Sequence, residues 1–462
     1  MNVRNVISVL LFCIITLLVL SRVSIQSTLA LEGTTEILRH ARILGEGSYP
    51  HDDRVVPNQM VGISMISVLI AGLSALMGET VALLLLQFAS ILVLVAGLDG
   101  LLSVLAATNR ERWAVMGMVV LSPTLIYWGI AGPPIALALQ VLGAVLLAKK
   151  KWVLGLGLLL LAALDGILVT LVGCGLVALL YKHGKVRLKY MVCAAIVQLV
   201  AGLSALALFV FFGGVQVSRG ADLGSWVLEL GGQGGISIVV MGLALLGALV
   251  IYKRKYALEA LLVLAVVMAS LFIKEAQLYA GLALAIIAGL FLAWLLSYKW
   301  ELRQLRILSY AAIVLGIAGV VAVSCSQILL GQPDREHLAA LQEMEKLLPE
   351  DAVVFAPQRW GYPIELISKR IVVLNARSPE ERVQNLTRSI LDEVYLPKLE
   401  AQLKKEGITH IYLPQEIIID RQDDDPSGGL VYLLQNGETF KNVYQDSGAG
   451  VWEYLQSGES WN

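Results

Sequence analysis

Apolar residues dominate the first 330 positions, in blocks at 6–24, 60–77, 80–107, 113–131, 134–148, 152–164, 167–181, 190–212, 235–252, 256–273, 278–298 and 307–328. Short polar turns separate them. Such blocks predict the helices of a membrane-embedded bundle, since a span needs about 20 apolar residues to cross ~30 Å of hydrocarbon. The pattern changes at "GQPDREHLAALQEMEKLLPEDAVVFAP", residues 331–357, where apolar positions take helical spacing and then yield to a short strand, "AVVFA". Further strands are predicted at "RIVVLN", "HIYLP", "FKNVYQ" and "GVWEYL". Helices are predicted over "SPEERVQNLTRSILDEV", opened by Ser378 and Pro379, and "PKLEAQLKKEG", closed by Gly407. Residues 331–462 therefore read as a small α/β domain, at about 130 residues long enough for its own core.

Charge turns the list of blocks into a topology. Lys and Arg cluster at Arg110/Arg112, Lys149 to Lys151, Lys182 to Lys189, Lys253 to Lys255 and Lys299 to Arg306, and such clusters prefer the cytoplasmic side. If every block crossed the bilayer, the segment 60–77 would throw all five clusters outside. "MVGISMISVLIAGLSALMG" is rich in Ser, Met and small residues, and at about 1.5 Å per residue it barely reaches across, so it is expected to lie at or dip into the outer surface. By the same parity, 152–181 must be two short helices meeting at Asp165-Gly166. About eleven spans result, with the N-terminus inside and everything after about residue 330 extracytoplasmic. The first block ends near "STLALEG", which has the small residues of a signal-peptide cleavage site; cleaved or retained, it delivers the chain to the outer side.

Composition agrees with this picture and narrows it. Hydrophobic residues make up 57% and charged residues 15%, the formal net charge is −1, and the mean hydropathy is +0.74, far from a soluble globular chain. A near-neutral chain whose basic residues sit in short clusters has no nucleic-acid partner to expect. Cys13, Cys174, Cys193 and Cys325 lie in or beside apolar blocks without CxxC spacing and read as packing residues.

The polar exception in the first half is "ILRHARILGEGSYPHDDRVVPNQ", residues 37–59. Its Arg39, Ala41 and Ile43, followed by Asp52, Asp53, Arg54 and Pro57, resemble the first outer loop of the GT-C superfamily of membrane glycosyltransferases, most closely oligosaccharyltransferase catalytic subunits. "GSWVLELGGQGGIS" is similar to the family's late outer loop, with Glu229 where the family has a glutamate. "PQRWGYPIELISKRIVVLN", residues 357–375, aligns without gaps to the WWDYG region and the strand after it.

The resemblance implies a polytopic α-helical membrane protein with a C-terminal extracytoplasmic α/β domain. Residues 1–330 would form the GT-C-like transmembrane domain, including the outer loop 25–79 with its non-spanning helix, and 331–462 the second domain. It also implies use of a polyprenyl-phosphate-linked sugar, a divalent metal (Mg or Mn) and an envelope protein or glycan acceptor among the membrane lipids. Mg and Mn take oxygen ligands from carboxylates on separate loops. On this reading Asp52, Asp53 and Glu229 are the metal ligands, and Asp53, Glu229 and Glu32 the catalytic acids, with Glu36 a further candidate. Arg54, Lys274, Arg359 and Trp360 are the substrate-binding residues, Trp360 being a packing residue under any function.

Departures from the family pattern carry equal information. The family's first-loop Asp falls on Gly33, beside Glu32; Pro133 and Pro134 occupy the acidic positions of the second outer loop; and the WWDYG positions fall on Pro357, Gln358, Arg359, Trp360 and Gly361. A guanidinium only donates hydrogen bonds, so Arg359 cannot accept one from an Asn-x-Ser/Thr hydroxyl. A standard protein N-glycosylation activity is excluded on that ground. Two classes stay open: a glycosyltransferase using a lipid-linked sugar at the outer face, and a catalytically inactive relative serving as a structural or binding subunit of a cell-envelope assembly.

Overall fold

The computed structural model describes residues 38, 41, 42, 44, 65–122, 124–125, 134–213, 237–253, 257–270, 276–330, 335–374, 380–424 and 429–455. The chain divides into two compact units, Met1–Ile25 with Gly62–Leu330 and Gln26–Val61 with Gly331–Asn462. Residues 26–61, expected with the helical region, thus group with the C-terminal residues.

The first unit is helical. Its described helices are α1 (Met65–Met77), α2 (Glu79–Val104), α3 (Asn109–Val120), α4 (Ile135–Ala148), α5 (Trp152–Ala163), α6 (Ile167–Lys182), α7 (Leu188–Gly213), α8 (Ile238–Lys253), α9 (Ala257–Ser270), α10 (Ala276–Ser297) and α11 (Arg303–Leu330). Four, at Val81–Val104, Leu188–Ala205, Ala276–Ser297 and Arg303–Ala322, are long and apolar enough to cross a membrane. The 13 residues of α1 amount to about 20 Å of helix, well short of the hydrocarbon thickness. The predicted break between two short helices is present: α5 ends at Ala163, and α6 starts after Gly166, whose φ of 143° suits a residue without a Cβ. The first apolar block, 6–24, lies outside the described residues.

Small residues set the helix crossings, as they do where lipid removes the hydrophobic drive between helices. Helix α10 is the buried centre of its half of the bundle. A Cβ on Gly289 would collide with Val115 Cα, and one on Gly281 with Thr124 Oγ1, so α3 lies directly on α10. Polar side chains are held inside as well. The Gln140 amide nitrogen donates to the Val169 carbonyl, and Gln140 Nε2 and Gln198 Oε1 both press on Gly173, where no Cβ fits. Asp99 of α2 accepts from Arg112 Nη2 through both carboxylate oxygens at 2.6 Å. Thr108 and Glu111 form a reciprocal cap at the start of α3.

The second unit is a mixed five-stranded sheet between two helical layers. Helix α12 (Arg335–Leu347) leads to β1 (Val353–Phe355), then β2 (Ile371–Val372), α13 (Glu380–Leu391), α14 (Leu396–Glu406), β3 (His410–Pro414), α15 (Gln415–Asp424), α16 (Gly429–Leu433), β4 (Phe440–Gln445) and β5 (Ala449–Tyr454). The order is β2-β1-β3-β5-β4, with β2, β1 and β3 parallel and β5 antiparallel to both β3 and β4. Period-two alternation divides the core. Val354, Tyr412 and Val451 join Leu341, Met344 and Trp360 on one face; Phe355, Ile411, Leu413 and Trp452 join Leu386, Ile390, Leu399 and Leu403 on the other. All five predicted strands form, and Gly407, at φ 67°, ends α14. Helices α15 and α16 were not foreseen, because "IIID" and "GLVYL" are too short to show a period.

Candidate functional site

The WWDYG-like stretch folds as one irregular turn. Pro357 opens a 3₁₀ turn over Gln358–Trp360, Gly361–Pro363 continues it, and Ile364–Ser368 widens to π geometry, closing at Lys369 with φ 56°. Widened turns of this kind recur at functional sites, because they leave backbone groups unpaired within the helix. One such group is taken from the first loop: Arg42 Nη1 donates to the Leu366 carbonyl at 2.8 Å. Leu38 and Ala41 are buried beside it in sequence, so this short helical segment of the loop is fixed to the unit that holds the turn.

On the turn, Trp360 is buried against His337 of α12, with ring centroids 4.4 Å apart, and Tyr412 of β3, at 5.7 Å. The Arg359 guanidinium lies 5.5 Å from the Trp360 ring and forms an ion pair with Glu416 of α15. Tyr412 Oη lies 3.2 Å from His337 Nδ1, and His337 Nε2 stands 3.9 Å from the same Glu416 carboxylate. Tyr412, His337, Glu416 and Arg359 thus form a polar chain from the sheet to solvent, alongside an aromatic floor. The indole Nε1 of Trp360 is buried and has no hydrogen-bond partner among the described residues.

Electrostatics divide this chain into fixed and adjustable parts. Burial pushes the Tyr412 hydroxyl far above its usual range, so it remains a neutral donor or acceptor. At the cluster's edge, Tyr444 donates to Asp446, and that bond, with burial, pushes the phenol up to about 12. Burial acts to raise the Asp446 carboxyl, but the bonds from Tyr444 and from the N–H groups of Ala449 and Gly448 hold it below the ordinary range. The exposed end, Arg359 with Glu416, can exchange its partner for a ligand. Chemically the cluster can donate hydrogen bonds to an anionic or oxygen-rich group and stack a flat or sugar face on aromatic rings.

Of the sequence-predicted residues, Arg359 and Trp360 come together here. Glu32, Glu36, Asp52, Asp53, Arg54, Glu229 and Lys274 lie outside the described residues, and the metal proposal rests on them. Among the described residues no group of three His, Cys, Asp or Glu side chains is placed to hold a metal. His337, Tyr412, Glu416 and Asp446 were missed. His337 and Tyr412 belong to elements the sequence predicts, Glu416 to the unforeseen α15 and Asp446 to the turn between β4 and β5, and nothing along the chain signals that they converge.

No protein-family model matches the sequence, and no curated protein matches it. Solved structures do. The Archaeoglobus fulgidus oligosaccharyltransferase in the apo form superposes with a TM-score of 0.56 at 13% identity, covering 97% of this chain and 75% of that one. The archaeal oligosaccharyltransferase AglB from Archaeoglobus fulgidus, in complex with an inhibitory peptide and a dolichol-phosphate, gives 0.52 at 12% identity, with coverages of 97% and 75%. ArnT from Cupriavidus metallidurans bound to undecaprenyl phosphate gives 0.51 at 11% identity, covering 97% of this chain and 98% of that one. The chain has the GT-C fold. That fold, a helical membrane region followed by a C-terminal domain, matches the resemblance drawn from the first loop and the 357–375 stretch. At these identities the GT-C likeness is one of fold, and residue roles do not travel with it.

Proposed function

We propose that the chain is a GT-C glycosyltransferase that takes its sugar from a polyprenyl-phosphate carrier at the outer membrane face. The observation that carries this reading is the GT-C fold over nearly the whole chain, shared with two enzymes each solved with a polyprenyl phosphate. In this reading the chain makes about eleven crossings, residues 60–77 do not span, and the C-terminal unit is extracytoplasmic. Asp52, Asp53 and Glu229 would hold Mg or Mn, an all-oxygen set suited to such ions, whose charge offsets that of the donor phosphate. Glu32 would act on the acceptor hydroxyl as base or hydrogen-bond acceptor. Arg54 and Lys274 would pair with the phosphate as the acceptor oxygen bonds to the anomeric carbon, the sugar–phosphate C–O bond breaks, the polyprenyl phosphate leaves and the acceptor's proton passes to Glu32.

Arg359 directs the choice of acceptor. Standing where the resembled family has an aspartate, it favours an acceptor rich in oxygen lone pairs, such as a glycan or an acidic envelope component, over an Asn-x-Ser/Thr hydroxyl. Binding of a polyprenyl-phosphate sugar to purified protein with Mn²⁺ tests the reading, and D53A/E229A should abolish it with the fold intact.

A second reading has its own support. Gly33, Pro133 and Arg359 stand where the resembled family has acids, and the Arg359–Glu416 pair occupies the exposed end of the cluster. A protein that binds no lipid-linked sugar, with or without metal, would be an inactive GT-C relative whose C-terminal unit serves as a contact surface in a cell-envelope assembly.

A further inference from the structure

The turns joining α4 to α5 and α6 to α7 carry basic side chains remote in sequence from the candidate site: Lys149, Lys150, Lys151, Lys185, Arg187 and Lys189, all exposed. Among the described residues, none of these six has a carboxylate partner. The one acid between residues 149 and 190 is Asp165, in the turn at the far end of the α5–α6 pair. Trp152 lies flat on Tyr190, with centroids 3.5 Å apart and 8° between planes, and Lys189 Nζ sits 4.9 Å from the Tyr190 ring. Because Trp152 follows Lys151 and Tyr190 follows Lys189, this stack clamps two separate basic turns into one surface.

The two turns close by the same hydrogen bonds but differ at the sharp position. After α6, Gly184 takes φ 67°, its N–H donates to the Tyr181 carbonyl at 2.8 Å, and Lys185 N–H donates to Leu180 at 2.9 Å. After α4, Lys150 takes φ 63°, its N–H donates to Leu147 at 3.0 Å, and Lys151 N–H donates to Leu146 at 2.9 Å. Glycine is the favoured residue in this left-handed conformation, and a side chain there is disfavoured. Lys150 therefore carries a conformational cost that Gly184 does not, as does Ala106 at φ 61° in the same kind of turn, and it adds a charge to the surface that glycine would not.

We propose that this surface binds the headgroup of an anionic membrane lipid carrying more than one phosphate. Six cations without a carboxylate partner among the described residues, spread over two turns, exceed what a single phosphate can neutralise, and a headgroup with two phosphates can engage both turns at once. The lipid source, as opposed to a free phosphate, follows from the apolar side chains beside the cations. Val153, Leu154 and Leu188 are 85%, 61% and 54% exposed on the same helices, placed to lie along acyl chains.

The test uses the full chain in detergent, with bound lipid counted by native mass spectrometry during titration with cardiolipin or phosphatidylcholine. Cardiolipin should bind preferentially. K150G should weaken it about fivefold, the equivalent of one lost interfacial cation, while the melting temperature stays level or rises because the left-handed turn is relieved. W152A should weaken cardiolipin binding without removing any charge. Equal binding of the two lipids would overturn the proposal, as would a K150G protein that gains stability and loses no cardiolipin. Displacement of bound cardiolipin by inorganic pyrophosphate would also overturn it, in favour of a soluble phosphate site. If W152A fails to fold, K150G still decides the matter.

Discussion

Two arginines eleven positions apart show how burial decides what a charge is worth. Arg370 is buried and donates to the carbonyls of Glu345 and Leu348 at 2.7 and 2.6 Å, closing the end of α12. Arg370→Met would strand both carbonyls, so denaturant unfolding should show a loss of about 2–3 kcal/mol. Arg359 is largely exposed in its pair with Glu416, and Arg359→Ala should change stability by less than about 1 kcal/mol while altering whatever the cluster binds. His410 gives a pH signature. Burial lowers its imidazole pKa, with Arg370 acting in the same direction and Glu453 and Asp351 opposing. The unfolded chain therefore takes up a proton that the folded one refuses: the His410 contribution is whole above about pH 6.5 and is lost as pH falls below that. Stability followed by tryptophan fluorescence should decline as pH falls below about 6.5, and His410→Asn, which can keep the bond to Thr409, should flatten that limb. At this scale the sequence was legible only in part. Arg359 and Trp360 were marked by a motif, whereas His337 and Glu416 reach them from α12 and α15 through folding alone.

Helices and strands were the most legible level, because period and capping are local. The strands alternate, Gly407 stops a helix, and the Asp165-Gly166 break was forced by charge parity before any geometry was known. Boundaries in the helical unit were less readable, since an unbroken apolar run shows no face. Its internal polar residues were not readable at all. Gln198 is fully buried in α7, and neither amide atom has a partner among the described residues. Gln198→Leu, close in volume, should stabilise the protein by about 1 kcal/mol in a thermal-shift assay. Gly289→Leu should do the opposite by about 1–3 kcal/mol, because it separates α3 from α10.

For the whole molecule, fold class came from hydropathy plus a few loop residues, and solved structures agree at identities where alignment alone would be mute. Orientation is testable directly. On the topology proposed above, cysteines placed at Asn58 and Gly78 should both react with an impermeant reagent from the outside; inside-only labelling at 78 would mean that residues 60–77 cross. The bond from Arg42 to Leu366 adds a constraint of a different kind, since its partners are 324 positions apart. A ribosome adding about 5–20 residues per second makes the second partner roughly 15 to 65 s after the first. During that interval Leu38 and Ala41 lack the fold that buries them, while the helical unit between the two partners is being made. The loop is thus an early product that must wait for a late one, and it should be the segment most open to proteases and most in need of a chaperone in nascent or truncated chains.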